Sequence, residues 1–190
     1  MSDIAILKQM IKEDITVPLE EREEKTHSRY SVILTERQDN YSVTIDGMPK
    51  PDEVIIIEAE KFNAPREVFK GDKGERKRAD FVIIADTGTE KIILFIEMKR
   101  NKDDQKDIVK QLYGAQCFIA YCQEIGKNFW HQHKFLEAYQ YRFVTIGRIP
   151  ISKTKTRADR ANRTLTQLHS IPENMLIING KNYIQFYHLI

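Results

Sequence analysis

The sequence predicts an α/β fold, with a central mixed β-sheet flanked by helices, and three observations carry that expectation. The first is a pair of strand-like runs, Ala79-Asp-Phe-Val-Ile-Ile-Ala and Lys91-Ile-Ile-Leu-Phe-Ile-Glu-Met-Lys, joined at Thr87-Gly88-Thr89-Glu90. Gly88-Thr89 suits a two-residue hairpin turn that opens on glycine. The second is the register this turn implies, with Asp86 facing Lys91 and Asp80 facing Glu97. Val82 and Ile84 then share a face with Phe95 and Ile93, while Phe81 and Ile83 share the other with Met98, Ile96 and Leu94. Both faces are apolar, so the hairpin needs cover on both, expected largely from helices. The third is the stripe Ile108, Leu112, Ala115, Ile119 and Cys122, one side of a helix opened by Asp103-Asp104.

The remaining elements follow in chain order. Ile4, Leu7, Met10 and Ile11 predict a helix over 3–13 with one buried stripe. Pro18 and the acidic run Glu20, Glu21, Glu23, Glu24 predict a further helical turn or two, since proline and acids favour a first turn. The period then changes to two: Tyr30 to Leu34 and Tyr41 to Ile45 read as strands, Asp46-Gly47 as a turn and Val54 to Ile57 as a short strand. Beyond the central helix the pattern predicts a second helix over 128–139 and a strand from Phe143 to Ile146. A basic helix over 158–169 follows, then terminal strands, Met175 to Ile178 and Tyr183 to Leu189, around Asn179-Gly180.

With 190 residues, 41% apolar and 31% charged, the chain suits one domain, and no repeat, low-complexity tract or Gly/Ser linker divides it. No apolar run is long enough for a membrane span, and Met-Ser-Asp-Ile does not start a secretory leader, so a soluble, cytoplasmic protein with no membrane partner is expected. Cys117 and Cys122 lie on one predicted helix, a poor placement for a disulfide, and read as reduced core thiols. Residues 1–60 carry 7 Lys+Arg against 14 Asp+Glu and residues 61–190 carry 23 against 14, so the basic part is where a polyanion would bind. Its two clusters are Arg66, Lys70, Lys73, Arg76, Lys77, Arg78 and Arg148, Lys153, Lys155, Arg157, Arg160, Arg163. His131 and His133 diverge on the expected helix, and Gly71-Asp-Lys-Gly74 lacks the spacing of a nucleotide loop. Tyr113, Tyr121, Trp130, Tyr139 and Tyr141 read as core or rim aromatics.

The chemistry concentrates at the open end of the hairpin. Glu97 and Lys99 point to the same side of a strand, and the register brings Asp80 alongside Glu97. Two adjacent carboxylates near apolar side chains repel each other unless a cation sits between them. A hard divalent ion with oxygen ligands fits: Mg²⁺ takes one or two protein carboxylates and completes its shell with water and phosphate oxygens, and Mn²⁺ would substitute. Lys99 beside it can orient or deprotonate a water, or neutralise charge on a phosphate. The competing reading is a salt-bridge cluster at a sheet rim.

These residues resemble the PD-(D/E)xK nuclease superfamily, the restriction-endonuclease-like fold. The resemblance covers roughly Arg78 to Tyr121, in Arg78-Ala-Asp-Phe-Val-Ile-Ile, Ile92-Ile-Leu-Phe-Ile-Glu-Met-Lys-Arg and Lys110-Gln-Leu-Tyr-Gly-Ala-Gln. It implies that Asp80, Glu97 and the Met98 carbonyl hold Mg²⁺, that Lys99 assists the hydrolytic water and that Gln111 helps to arrange the site. Ala79 stands where the family's proline would be, and Glu13, Glu20, Glu21 and Glu24 compete for the place of a further acidic ligand on the first helix. Residues 1–190 then form one nuclease-like domain, with a catalytic core about 53–147 and a basic segment 148–170 within the domain. The implied function is Mg²⁺-dependent hydrolysis of phosphodiester bonds in nucleic acid, DNA before RNA, in a prokaryotic restriction or phage-defence setting. Lys153, Lys155, Arg157, Arg160 and Arg163 would grip the backbone, and a homodimer would supply the two sites that a duplex cut needs. The alternative is an inactive nucleic-acid-binding or assembly module on the same fold.

Overall fold

Two mixed sheets share one apolar layer in the computed structural model, which describes residues 1–23, 28–37, 40–99, 104–147 and 169–190. The larger sheet is ordered β4 (Val54–Glu58), β5 (Phe81–Asp86), β6 (Lys91–Lys99), β7 (Gln140–Gly147), β8 (Leu176–Asn179). Its first three strands are antiparallel, and β7 and β8 join in parallel. The smaller sheet is β1 (Glu20–Glu23), β2 (Ser28–Glu36), β3 (Tyr41–Met48), β9 (Tyr183–Gln185), with β9 parallel to β3. Among the described residues the α-helices are α1 (Asp3–Met10), α2 (Ala64–Val68) and α3 (Gln105–Phe129), and none is long and apolar enough to cross a membrane.

The central hairpin has the expected register, from Phe81 opposite Ile96 to Asp86 opposite Lys91. The last pair closes an ion pair at 3.0 Å, and Gly88 takes the positive φ of 78° that its turn needs. Val82, Ile84, Ile93 and Phe95 pack under Ile4 and Leu7 of α1 and Ile108, Leu112, Ala115 and Ile119 of α3. Phe95 stacks on Phe143 with ring centroids 4.7 Å apart. Helix α3 is capped by the Asp104 carboxylate, which accepts from the Lys106 N–H.

The other face departs from expectation. Phe81, Ile83, Leu94 and Ile96 are covered by Val32, Leu34, Val43 and Ile45 of the smaller sheet rather than by helices. Glu20 to Glu23 form the fully exposed edge strand β1, not a helical turn. Asp46-Gly47 lies inside β3: Tyr30 pairs with Met48 and Ser31 with Asp46, so Gly47, at φ 70°, is the extra residue of a bulge. Helix α1 ends at Met10, and α3 runs to Phe129, so no second helix covers 128–139. That segment is a series of turns that buries Phe135, Leu136 and Tyr139, the apolar spacing that mimicked a helix. The strands β8 and β9 belong to different sheets, and β9 stops at Gln185. Cys117 is exposed and only Cys122 is in the core, both as free thiols. The basic helix expected over 158–169 lies outside the described residues, apart from His169.

Candidate active site

The carboxyl end of β6 is where the acidic groups gather, because three strand ends meet there. Beyond the Phe81–Ile96 pair β5 has no further residue in the ladder, and Asp80 fills the gap by accepting from the Met98 N–H at 2.6 Å. In a strand the N–H and C=O of one residue point to the same neighbour, so the Met98 carbonyl is directed to this side too. On β4's side, the Ala59 N–H donates to the Asp80 carbonyl at 2.8 Å, which places Glu60 in the turn directly after β4. From the smaller sheet, Glu36 ends β2 and continues the buried face of Val32 and Leu34. The carboxylate oxygens of Glu36, Glu60 and Asp80 lie within 4.8 Å of one another.

These groups wall a polar cavity of about 240 Å³ together with Arg66, Arg78, Met98, Lys99 and Gln111. Glu97 sits behind it, fully buried, with Oε1 2.6 Å from the Lys99 ammonium and the Asp80 N–H also turned to its carboxylate. The Gln111 Oε1 is buried without a hydrogen-bond partner among the described residues. Burial, and then the neighbouring Glu97 charge, push the Asp80 carboxyl well above the usual carboxylate range. Burial also raises Glu97, against the pull of Lys99, and raises Glu60, where Glu36 adds to the effect. In all three cases burial is the largest cause: the charged forms are desolvated, and a cation in the cavity would favour them.

Two glycines make the site geometrically possible. A Cβ on Gly114 of α3 would lie 1.7 Å from the Lys77 carbonyl oxygen, so only glycine lets the helix touch the segment that carries Arg76, Arg78 and Asp80. A Cβ on Gly147 of β7 would lie 1.7 Å from the Lys99 carbonyl oxygen. Lys99 can therefore follow the parallel ladder to its last pair, Lys99 with Gly147.

The structure brings Asp80, Met98, Lys99 and Gln111 to one cavity and sets Glu97 next to it. It does not bring in the expected N-terminal acids: Glu13, Glu20 and Glu21 are exposed, and Glu24 lies outside the described residues. Glu36 and Glu60 stand there instead. Glu36 carried a readable signal, a carboxylate continuing the alternating apolar face Val32, Leu34. Glu60 carried none, because only the β4–β5 pairing brings it to Asp80. His131 and His133 are exposed beyond the end of α3 rather than on a helix. Lys153, Lys155, Arg157, Arg160 and Arg163 lie outside the described residues.

No family model, curated protein or solved structure matches the chain. What the fold and the site define by themselves is an α/β protein of two mixed sheets with an acidic triad that could hold a metal ion.

Proposed function

We propose that the protein is a Mg²⁺-dependent nuclease, built on a restriction-endonuclease-like core, that hydrolyses phosphodiester bonds of nucleic acid. The observation that carries this reading is the convergence of Glu36, Glu60 and Asp80 in a cavity that also contains Lys99 and two arginines. Beside them the Gln111 Oε1 is buried with no hydrogen-bond partner among the described residues, an orphaned acceptor in the cavity wall.

The donor set fits a hard cation, since every candidate ligand is an oxygen. Asp80, Glu36 and Glu60, with the Glu97 carboxylate and Met98 carbonyl adjoining, would hold Mg²⁺ or Mn²⁺, which would supply Lewis acidity and a more acidic bound water. Around it the chain's own groups divide the work. Arg66 and Arg78 line the cavity and offer guanidinium donors to the non-bridging oxygens of a phosphodiester. Lys99 Nζ, an ammonium paired with Glu97, donates to the phosphoryl oxygens on which negative charge builds and can orient the attacking water, whose proton passes to solvent or to a neighbouring carboxylate. The Gln111 Oε1 can accept a hydrogen bond from that water and so orient it.

Purified protein incubated with supercoiled plasmid, linear duplex, single-stranded DNA and RNA, each with Mg²⁺, Mn²⁺, Ca²⁺ or chelator, tests the reading. Cleavage with Mg²⁺ or Mn²⁺ that stops in chelator is the expected result. No cleavage of any of these with any ion, together with thermal melting that ignores divalent ions, would overturn it.

A further inference from the structure

The acidic cavity is the first of three depressions that share walls. Arg66, Arg78 and Gln111 line both it and a basic pocket of about 400 Å³ that also takes in Arg76 and Lys77. Gly74 in turn belongs to both that basic pocket and an apolar groove of about 680 Å³ between α2 and the outer side of α3. Phe62, Phe69, Tyr113 and Tyr121 line the groove, with Lys73 and Lys110 also in its wall. Phe69 is 54% exposed and Tyr121 56%, so both present open ring faces to the groove. Tyr121 is not loose, because its ring lies 5.8 Å from Phe62, which in turn packs on the buried Phe118 at 5.0 Å.

The sequence of chemistries along this path is oxygen ligands, then guanidinium groups, then flat aromatic faces with ammonium groups beside them. A molecule complementary to all three carries phosphates at one end and planar apolar rings at the other. Nucleobases present such rings only when they are unpaired and unstacked, because in a duplex their faces are covered by neighbouring pairs. We infer that the groove between Phe69, Tyr113 and Tyr121 is a nucleobase subsite for single-stranded polynucleotide whose phosphates lie in the Arg66/Arg78 pocket. This rests on the nuclease reading above and narrows it: the substrate is a single strand or a frayed end rather than continuous duplex. A protein partner would suit the apolar faces, but not the common walls with the arginine pocket.

The groove contains its own reporter. Cys117 lines it and is exposed, while Cys122, the other of the chain's two cysteines, is buried with its thiol pushed up to about 12. Maleimide labelling of the full chain carrying Asp80→Asn, in Mg²⁺, therefore reads occupancy of the groove at Cys117 without consuming the probe. The probes are oligo(dT), oligo(rU) and a blunt hairpin duplex of equal length, with binding followed in parallel by fluorescence anisotropy. Oligo(dT), oligo(rU) or both should slow labelling several-fold and the hairpin should not, the two oligomers separating DNA from RNA. Phe69→Ala and Tyr121→Ala should each lower single-strand affinity about tenfold with the salt dependence of binding unchanged, the signature of lost stacking rather than lost ion pairing. If the oligomers bind and the wild type cleaves while Cys117 labels at its free rate, the subsite is overturned and the nuclease reading stands. If nothing binds and nothing is cleaved, the nuclease reading falls and takes the subsite with it. Labelling that slows with protein concentration alone would give the groove to a second copy of the chain, and binding of duplex only would leave it to a protein partner. Either result overturns the inference.

Discussion

The Asp80 carboxylate accepts the Met98 N–H at 2.6 Å, so a side chain completes the ladder where strand β5 runs out. The bond fixes a candidate metal ligand through the backbone of β6 rather than through flexible side chains. It also holds Asp80 close to Glu97, at a cost in repulsion that the next two expectations measure.

Asp80→Asn keeps an oxygen for the Met98 N–H and removes a buried charge. Burial raises the folded-state pKa of Asp80, so the ionised form costs stability above that pKa, and the cost vanishes as pH falls below the unfolded value. In chelator the variant should melt higher than wild type at roughly pH 8, with the advantage shrinking toward about pH 4. Mg²⁺ should raise the melting temperature of the wild type and not that of the variant, which should also be unable to cleave. Identical melting curves in chelator would remove the strain from the account.

Lys99→Ala separates chemistry from charge balance. The ammonium lies 2.6 Å from Glu97 Oε1, so its loss leaves a buried carboxylate without its ion pair and lowers stability in chelator. If Lys99 acts on water or phosphate, single-turnover cleavage at saturating Mg²⁺ should fall on the order of 10² or more with affinity unchanged. Near wild-type rates at high Mg²⁺ would leave Lys99 a structural partner of Glu97 only.

Arg66→Gln probes the wall common to the acidic and basic pockets. One lost phosphate contact should reduce the slope of log affinity against log salt by roughly one unit. The same measurement on Lys155, Arg157 and Arg160 replaced by Gln tests the C-terminal basic segment, for which sequence alone is the argument. Slopes equal to wild type would make these residues solvated surface.

Gly114→Ala should be disproportionately damaging for so small a change, since the new methyl meets the Lys77 carbonyl at 1.7 Å. Overpacking of this kind costs about 1–3 kcal/mol. The segment bearing Arg76, Arg78 and Asp80 must then move off α3, so turnover should fall together with stability. A variant as stable and as active as wild type would show that this contact does not position the site.

Asp46 anchors the smaller sheet. It is nearly fully buried and accepts from Arg29 Nε at 3.1 Å, Tyr183 Oη at 2.6 Å and Gln185 Nε2 at 3.0 Å. Burial would raise its pKa, but Arg29, Tyr183 and Gln185 outweigh it and hold the carboxyl well below the usual carboxylate range. A depressed folded pKa stabilises above the unfolded value and is lost as pH falls through the folded one. Chemical denaturation at neutral pH should place Asp46→Ala about 1–3 kcal/mol below wild type. The gap should close as pH drops below about 4, and a gap independent of pH would contradict the assignment.

The hairpin was legible because a two-residue turn fixes every pair from Phe81–Ile96 to Asp86–Lys91, and that register alone located Asp80 beside Glu97. Gln111 was reached only through the resemblance, which implies a Gln on the helix after the strand that bears Lys99, and it lines the cavity. Asp46-Gly47 misled because glycine serves a bulge as well as a turn, and only the partner strand distinguishes them. Glu20 to Glu23 gave no strand signal, since all four residues are exposed and show no apolar alternation; their place beside β2 comes from the backbone ladder, with the Tyr30 hydroxyl donating to Glu21 at 3.3 Å. The acidic triad was beyond reach for a related reason: Glu36, Glu60 and Asp80 come from three elements that only the packing of the two sheets brings together.

The parallel pairing of β9 with β3, Thr44 with Tyr183 through Asp46 with Gln185, closes the smaller sheet with a segment distant in sequence. Strands β4 to β6 can pair through much shorter connections while the sheet that bears Glu36 is still one strand short, and Asp46 still lacks Tyr183 and Gln185. Contacts so far apart in sequence close slowly, because the intervening chain must lose its freedom first. The hairpin that carries Asp80, Glu97 and Lys99 can therefore pair locally, whereas the sheet that bears Glu36 is complete only once β9 reaches β3 across the intervening chain.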